Sequence, residues 1–103
     1  MTLLELVTKE YISIVDSLME SEDITNDRII IDRERFRSLL EKYNYMKFRD
    51  KTRIYKNLNF ILHDKNNYTL PCKDIEKNKT IRKVVINYTT YATIKRLYET
   101  IVK

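Results

Sequence analysis

No glycine occurs anywhere in the 103 residues, and that absence limits the backbone more than any other feature of the chain. Positive-φ positions in turns and at helix ends usually fall to Gly. Here they must fall to Asn or Asp, which tolerate the left-handed region best among the other residues. Asn59 is thus the expected left-handed end of a helix, and Asp64-Lys-Asn-Asn67 an expected turn. Gly-rich loops that cradle phosphates are excluded for the same reason.

The apolar spacing predicts the elements. Thr2-Leu-Leu-Glu5 is a capping box opening a helix over about 3–20. Its apolar residues, among them Leu4, Val7, Tyr11, Ile14 and Leu18, cover roughly 240° of the circumference, where a surface helix needs a stripe of only about 100°. That arc suits either a central core helix or a docking surface for a second copy or another protein. In the docking case those five residues bind the partner, while Glu5, Glu10, Asp16 and Glu20 keep the surface off DNA. An acidic loop follows over 20–27, and 28–31 reads as a short strand. Asp32 caps a helix over 33–43, with Phe36, Leu39, Leu40 and Tyr43 inward. After a turn at Asn44-Tyr45, a third helix runs over about 47–58, with Ile54, Tyr55 and Leu58 inward. Residues 60–63 and 68–70 read as paired strands around the 64–67 turn, and Pro71 confines the second to a sheet edge. A basic loop over 73–80, a strand over 81–87 and a helix over 90–102 complete the chain; the last helix is expected to turn Tyr91, Ile94, Leu97, Tyr98 and Ile101 inward. This length suits one domain, 1–103, of the α+β class.

Charge is divided along the chain. Residues 1–46 hold six Lys/Arg against ten Asp/Glu, and residues 47–103 hold fourteen against five. A basic half of this kind meets polyanions through many weak phosphate contacts. On the third helix Arg49, Arg53 and Lys56 share one face, with Lys47 and Lys51 near its start. The following loop and strand add Lys73, Lys77, Lys79, Arg82 and Lys83. Tyr68, beside Asn66 and Asn67, either stacks on an unpaired base or packs across strands. Each basic face is equally readable as a solvated surface.

Chemistry-bearing motifs are missing. His63 has no companion at metal-ligand spacing, and Cys72 has no neighbouring base. The 20–27 acids lack the pattern of a calcium loop. No enzyme, cofactor or metal is therefore expected, and any catalysis belongs to a partner. The acidic N-terminus is unlike a signal peptide, no apolar run approaches the ~20 residues that span a bilayer, and a lone cysteine fits a reducing cytoplasm. Ile, Lys, Asn and Tyr supply 41 of the residues; their A/T-rich codons point to a low-GC bacterium or its mobile elements.

Helix, turn, helix and hairpin in this order, carried by IIIDRERFRSLLEKYNYMKFRDKTRIYKNLNFILHDKNNYTL and IRKVVINYTTY, resemble a winged-helix domain with flanking N- and C-terminal helices. More particularly, the chain resembles small accessory proteins of firmicute mobile-element replication operons, such as the middle-protein family of staphylococcal cassettes. The resemblance implies a non-catalytic factor that binds DNA, single- or double-stranded, and partners a replication enzyme such as a polymerase or helicase. Two alternatives stay open. One is an interaction protein that inhibits a host or defence protein without touching DNA; the other is a small winged-helix repressor.

Overall fold

A computed structural model describes residues 2–102. The elements run α1 (Leu3–Leu18), β1 (Arg28–Ile31), α2 (Arg33–Glu41), α3 (Phe48–Asn57), β2 (Ile61–Leu62), β3 (Leu70–Asp74), β4 (Lys79–Asn87) and α4 (Tyr88–Val102). The protein is α+β, four helices with a four-stranded antiparallel sheet. β4 is the central strand. β1 lies on one side, pairing Ile29 with Ile86 and Ile31 with Val84. The other side is shared by β2, which pairs Ile61 with Ile86, and β3, which runs from Leu70 opposite Lys83 to Asp74 opposite Lys79.

Asn and Asp replace glycine as expected. Among the described residues, those with positive φ are Asn26 (52°), Asp27 (59°), Asn59 (59°) and Asn78 (49°). Asn26 and Asp27 form a two-residue turn closed by Thr25 N–H to Arg28 O (2.9 Å) and Arg28 N–H to Thr25 O (3.0 Å). That is the turn conformation usually filled by Asn-Gly, and it leads directly into β1.

The expected hairpin between 60–63 and 68–70 does not form, because both segments pair with β4 instead. Residues 63–69 leave the ladder as a loop, and Arg82 of β4 pins it. Arg82 donates Nε to Thr69 Oγ1 (2.9 Å), and Nη2 to Thr69 O (2.7 Å) and to the Asp64 carboxylate. The observed hairpin is β3–β4; its turn and the strand ends beside it, Lys73–Asp74 and Lys79–Thr80, occupy the segment expected to be a loop. Asp74 Oδ1 accepts from Glu76 N–H (3.1 Å) and Lys77 N–H (3.3 Å), and left-handed Asn78 returns the chain. Pro71 lies on an edge strand, where its missing N–H is harmless. Asp32 starts α2 but caps nothing with its side chain, which instead faces Lys83 Nζ at 3.4 Å.

α1 is a core helix. Val7, Tyr11, Ile14 and Leu18 are buried, so these four residues cannot form a docking surface; of the five expected contacts only Leu4 is exposed. The wide apolar arc has a simple cause, since α1 packs on the rest of the core and also receives α4. Tyr11 stacks flat on Phe60 (3.9 Å, 2°), meets Tyr55 and Tyr91 edge-on, and donates its hydroxyl to Asn87 O (2.5 Å). α4 packs through Tyr88, Tyr91 and Ile94, whereas Leu97, Tyr98 and Ile101 are exposed. The expected inward stripe therefore holds only for the first half of that helix, the half reached by α1 and β1. Lys95 (2.8 Å) and Tyr91 both donate to Asp16, tying α4 to α1. Partial desolvation pushes the Asp16 carboxyl up, but these donors hold it below its usual range.

The core also holds an ion pair. Glu10 of α1 and Lys51 of α3 are 3% and 1% exposed. Lys51 Nζ donates to Glu10 Oε2 (2.7 Å), Leu40 O (2.6 Å) and Tyr43 O, and the Tyr45 and Tyr55 hydroxyls both donate to Glu10 Oε1 (2.8 Å each). Among the described residues no buried side-chain polar atom lacks a partner. Burial first, then the Glu10 charge, pushes the Tyr55 phenol well above its ordinary value; burial does the same for Tyr11.

Two outcomes follow for stability. Glu10→Ala or Lys51→Ala should each cost about 3–5 kcal/mol in urea unfolding, by stranding the surviving charge, while the apolar double variant Glu10→Leu/Lys51→Met recovers most of the loss. The raised phenols keep Tyr11 and Tyr55 neutral in the fold, whereas an unfolded chain ionises them near pH 10. Stability is therefore fully present below about pH 10 and falls above it by up to about 1.4 kcal/mol per pH unit for each phenol. Urea titrations across that range, with Tyr55→Phe giving the shallower decline, check this.

Candidate nucleic-acid interface

α3 has two sharply different sides. Lys51, Thr52 and Tyr55 point into the protein, while Arg49 and Arg53 are exposed and Lys56 is half-buried. Lys51 was an expected phosphate contact; its three donors are instead engaged in the core, and it has no exposed surface to offer. Helical geometry carries the warning, since Lys51 stands one turn before Tyr55 on the inner face. Glu10 likewise stands between Val7 and Ile14 at core spacing, and it does not screen any surface from DNA.

Outward, Arg49, Arg53 and Lys56 meet the 63–69 loop. Together with Thr52, Asn66, Asn67 and Tyr68 they line a cleft of about 250 Å³. No acidic side chain lines it, and among the described residues none of the three cations is in an ion pair. The cations span about 10 Å of helix at 1.5 Å per residue. The Asn66 and Asn67 side-chain amides on the facing wall add neutral donors, so the cleft suits an extended anion such as a phosphodiester backbone.

Tyr68 forms the ridge beside this cleft. Its ring lies against Phe36 (6.1 Å, 25°) and Phe48 (5.6 Å, 85°), and it is half-buried. Tyr68 does not pack across strands as one expectation had it: it lies in the 63–69 loop, and its ring is engaged by Phe36 of α2 and Phe48 of α3. On the other side of Tyr68 a larger cleft, about 390 Å³, is lined by Asp32, Arg33, Glu34, Arg37, Ile81 and Arg82. Its charge is mixed. Arg37 pairs with Glu41 (2.8 Å) and lies 5.0 Å over the Phe48 ring, and Arg82 is held by Asp64 and Thr69.

The expected basic residues thus separate into groups. Arg49, Arg53 and Lys56 converge, and Lys47 is exposed at the N-cap of α3. Lys73, Lys77 and Lys79 are exposed on the β3–β4 hairpin, in no ion pair among the described residues. Arg82 secures the loop, and Lys83 pairs with Asp32. Thr52, Arg33 and Arg37 line the clefts without having been expected there; only the folded loop and the first half of α2 bring them in.

His63 Nδ1 lies 2.9 Å from Asp64 O on the surface, and the half-buried Cys72 thiol donates weakly to Leu70 O (3.7 Å). Among the described residues no three His, Cys, Asp or Glu side chains gather as metal ligands, and no helix is long and apolar enough to cross a membrane. Glu22 of the acidic loop is paired with Arg35. Comparison with known proteins brings neither a matching family model nor a curated protein of similar sequence.

The two kinds of cation are separable by stability. Arg82→Ala should lower unfolding free energy by about 1–2 kcal/mol, because it removes charge-assisted bonds to a partly exposed loop. Lys79→Ala should stay within about 0.5 kcal/mol of the parent in the same urea titration.

Proposed function

We propose that this chain is a winged-helix nucleic-acid-binding factor with no chemistry of its own, assisting a replication enzyme of a mobile element. The observation that carries the binding half is the α3 cleft: three cations without ion-pair partners among the described residues, no lining acid, and amide groups facing them. The winged-helix assignment is supported by the succession α2, α3 and then a basic hairpin, and by β1 joining that hairpin's long strand. In such a domain α3 approaches the groove and the β3–β4 hairpin is the wing, carrying Lys73, Lys77 and Lys79.

The replication-enzyme half rests on the resemblance and on a different surface from the one expected. With Val7, Tyr11, Ile14 and Leu18 inside the core, the exposed apolar groups offered by the two terminal helices to a protein partner are Leu3 and Leu4 of α1 and Leu97, Tyr98 and Ile101 of α4. None of them lines the α3 cleft.

Fluorescence anisotropy with labelled single- and double-stranded DNA across a salt series tests the binding half. The expected result is tight binding at low salt that weakens linearly in log–log form. The triple variant Arg49→Ala/Arg53→Ala/Lys56→Ala should reduce the slope by about 2.7 and affinity by about 100-fold at physiological salt. Negligible affinity at low salt, or a triple variant that binds like the parent, would overturn it.

A further inference from the structure

The tip of the β3–β4 hairpin carries an isoleucine where turns ordinarily carry polar residues. Ile75 is 87% exposed, the highest value among the exposed large hydrophobic side chains. It opens the turn 75–78, and all four of those residues are exposed. The turn is nonetheless ordered. The Asp74 carboxylate accepts the Glu76 and Lys77 amides, and Asn78 takes the left-handed conformation that closes the hairpin. The Asp74 charge is thereby directed into the turn itself. The remaining charged side chains around Ile75 are Lys73, Lys77 and Lys79, against one acid, Glu76. The hairpin therefore presents one branched apolar side chain at its tip, with Lys77 in the turn and Lys73 and Lys79 on the opposite faces of its two strands.

We propose that Ile75 is a wedge that enters the minor groove of duplex DNA and inserts at a base step, with Lys73, Lys77 and Lys79 on the flanking phosphates. This rests on the nucleic-acid reading above and specifies its ligand as a deformable duplex. With atomic radii added to a strand spacing of about 4.8 Å, the turn is wider than the ~6 Å minor groove, so the Ile75 side chain leads and the groove opens around it as the base step parts. β-Branched Ile is stiff at χ1 and loses little freedom on insertion. Apolar side chains placed this way part a base step and bend the helix, and the cost of unstacking is offset by apolar burial and added phosphate contact. Pyrimidine–purine steps yield most easily, so the wedge prefers TA or CA steps.

The test uses the full chain and a duplex of about 25 base pairs with one central TA step, 2-aminopurine in place of its adenine, and a fluorophore at each end. Wild-type protein should raise the 2-aminopurine fluorescence and shorten the end-to-end distance. Ile75→Ala should abolish both signals and weaken affinity about ten-fold or more, with the salt slope unchanged because no phosphate contact is lost. Ile75→Leu should retain them. Circular dichroism of each variant should match the parent, since the position is exposed. Salt-dependent duplex binding that Ile75→Ala leaves unaltered in affinity and fluorescence would overturn the wedge alone. Affinity lost on replacing thymine by uracil, without unstacking, would reassign the tip to the major groove and also overturn it. Equal Ile75 dependence on single-stranded DNA would do the same. No binding of any DNA at low salt would remove the underlying reading as well.

Discussion

The buried Lys51–Glu10 pair is the constraint around which the other elements are arranged. Taking two charges out of water costs several kcal/mol per ion, and the cost is recovered only when every donor and acceptor finds a partner at good geometry. Here the three Lys51 donors reach Glu10, Leu40 O and Tyr43 O, and Glu10 takes two tyrosine hydroxyls besides. Those contacts come from α1, the end of α2, the connecting turn and α3. Such a set closes in one arrangement and sets the rotation of α3 about its own axis. Turning the helix by one residue, about 100°, would expose Lys51 and strand Glu10. The outward presentation of Arg49, Arg53 and Lys56 is thus a consequence of what the opposite side of the helix is bound to.

Positive charge in this protein does two jobs. Lys51 and Arg82 shape the fold, the first from inside and the second by drawing Asp64 and Thr69 onto β4. Because Arg82 holds the 63–69 loop against the sheet, β2 and β3 follow one another along the same side of β4. The loop then lies beside α3 and supplies the second wall of the basic cleft. The charges that build the site are therefore distinct from those available to a ligand, although in sequence they are interspersed.

Much of the local structure was legible. Helix and strand positions follow from apolar spacing, and the left-handed positions fall on Asn and Asp because glycine is absent. The β1 strand shows in Arg28-Ile-Ile-Ile31, where alternate residues are buried. Strand partners were less legible. Residues 60–63 and 68–70 flank a turn-like Asp64–Asn67 segment, yet the partner of each is β4, whose Arg82 stands eighteen residues beyond Asp64. Hairpin signals are local and cannot register a competing long-range strand. The α1 arc was ambiguous for a related reason: apolar width reports how much of a helix is covered, not whether this chain or another covers it.

Sequence by itself determined the four helices, the β1 strand and the 81–87 strand, the Asn and Asp turn positions, the basic character of residues 47–103 and the amphipathic halves of α3, because each depends on neighbours within a turn or a strand. Tertiary structure alone decided that Lys51 is a core residue and Arg49 a surface one, that Arg82 anchors a loop, that β3 pairs with β4, and that only half of α4 is covered. Burial, charge pairing and strand choice are settled by contacts between residues tens of positions apart. At those separations the competing partners are chemically alike, and only the closed packing of the core selects among them.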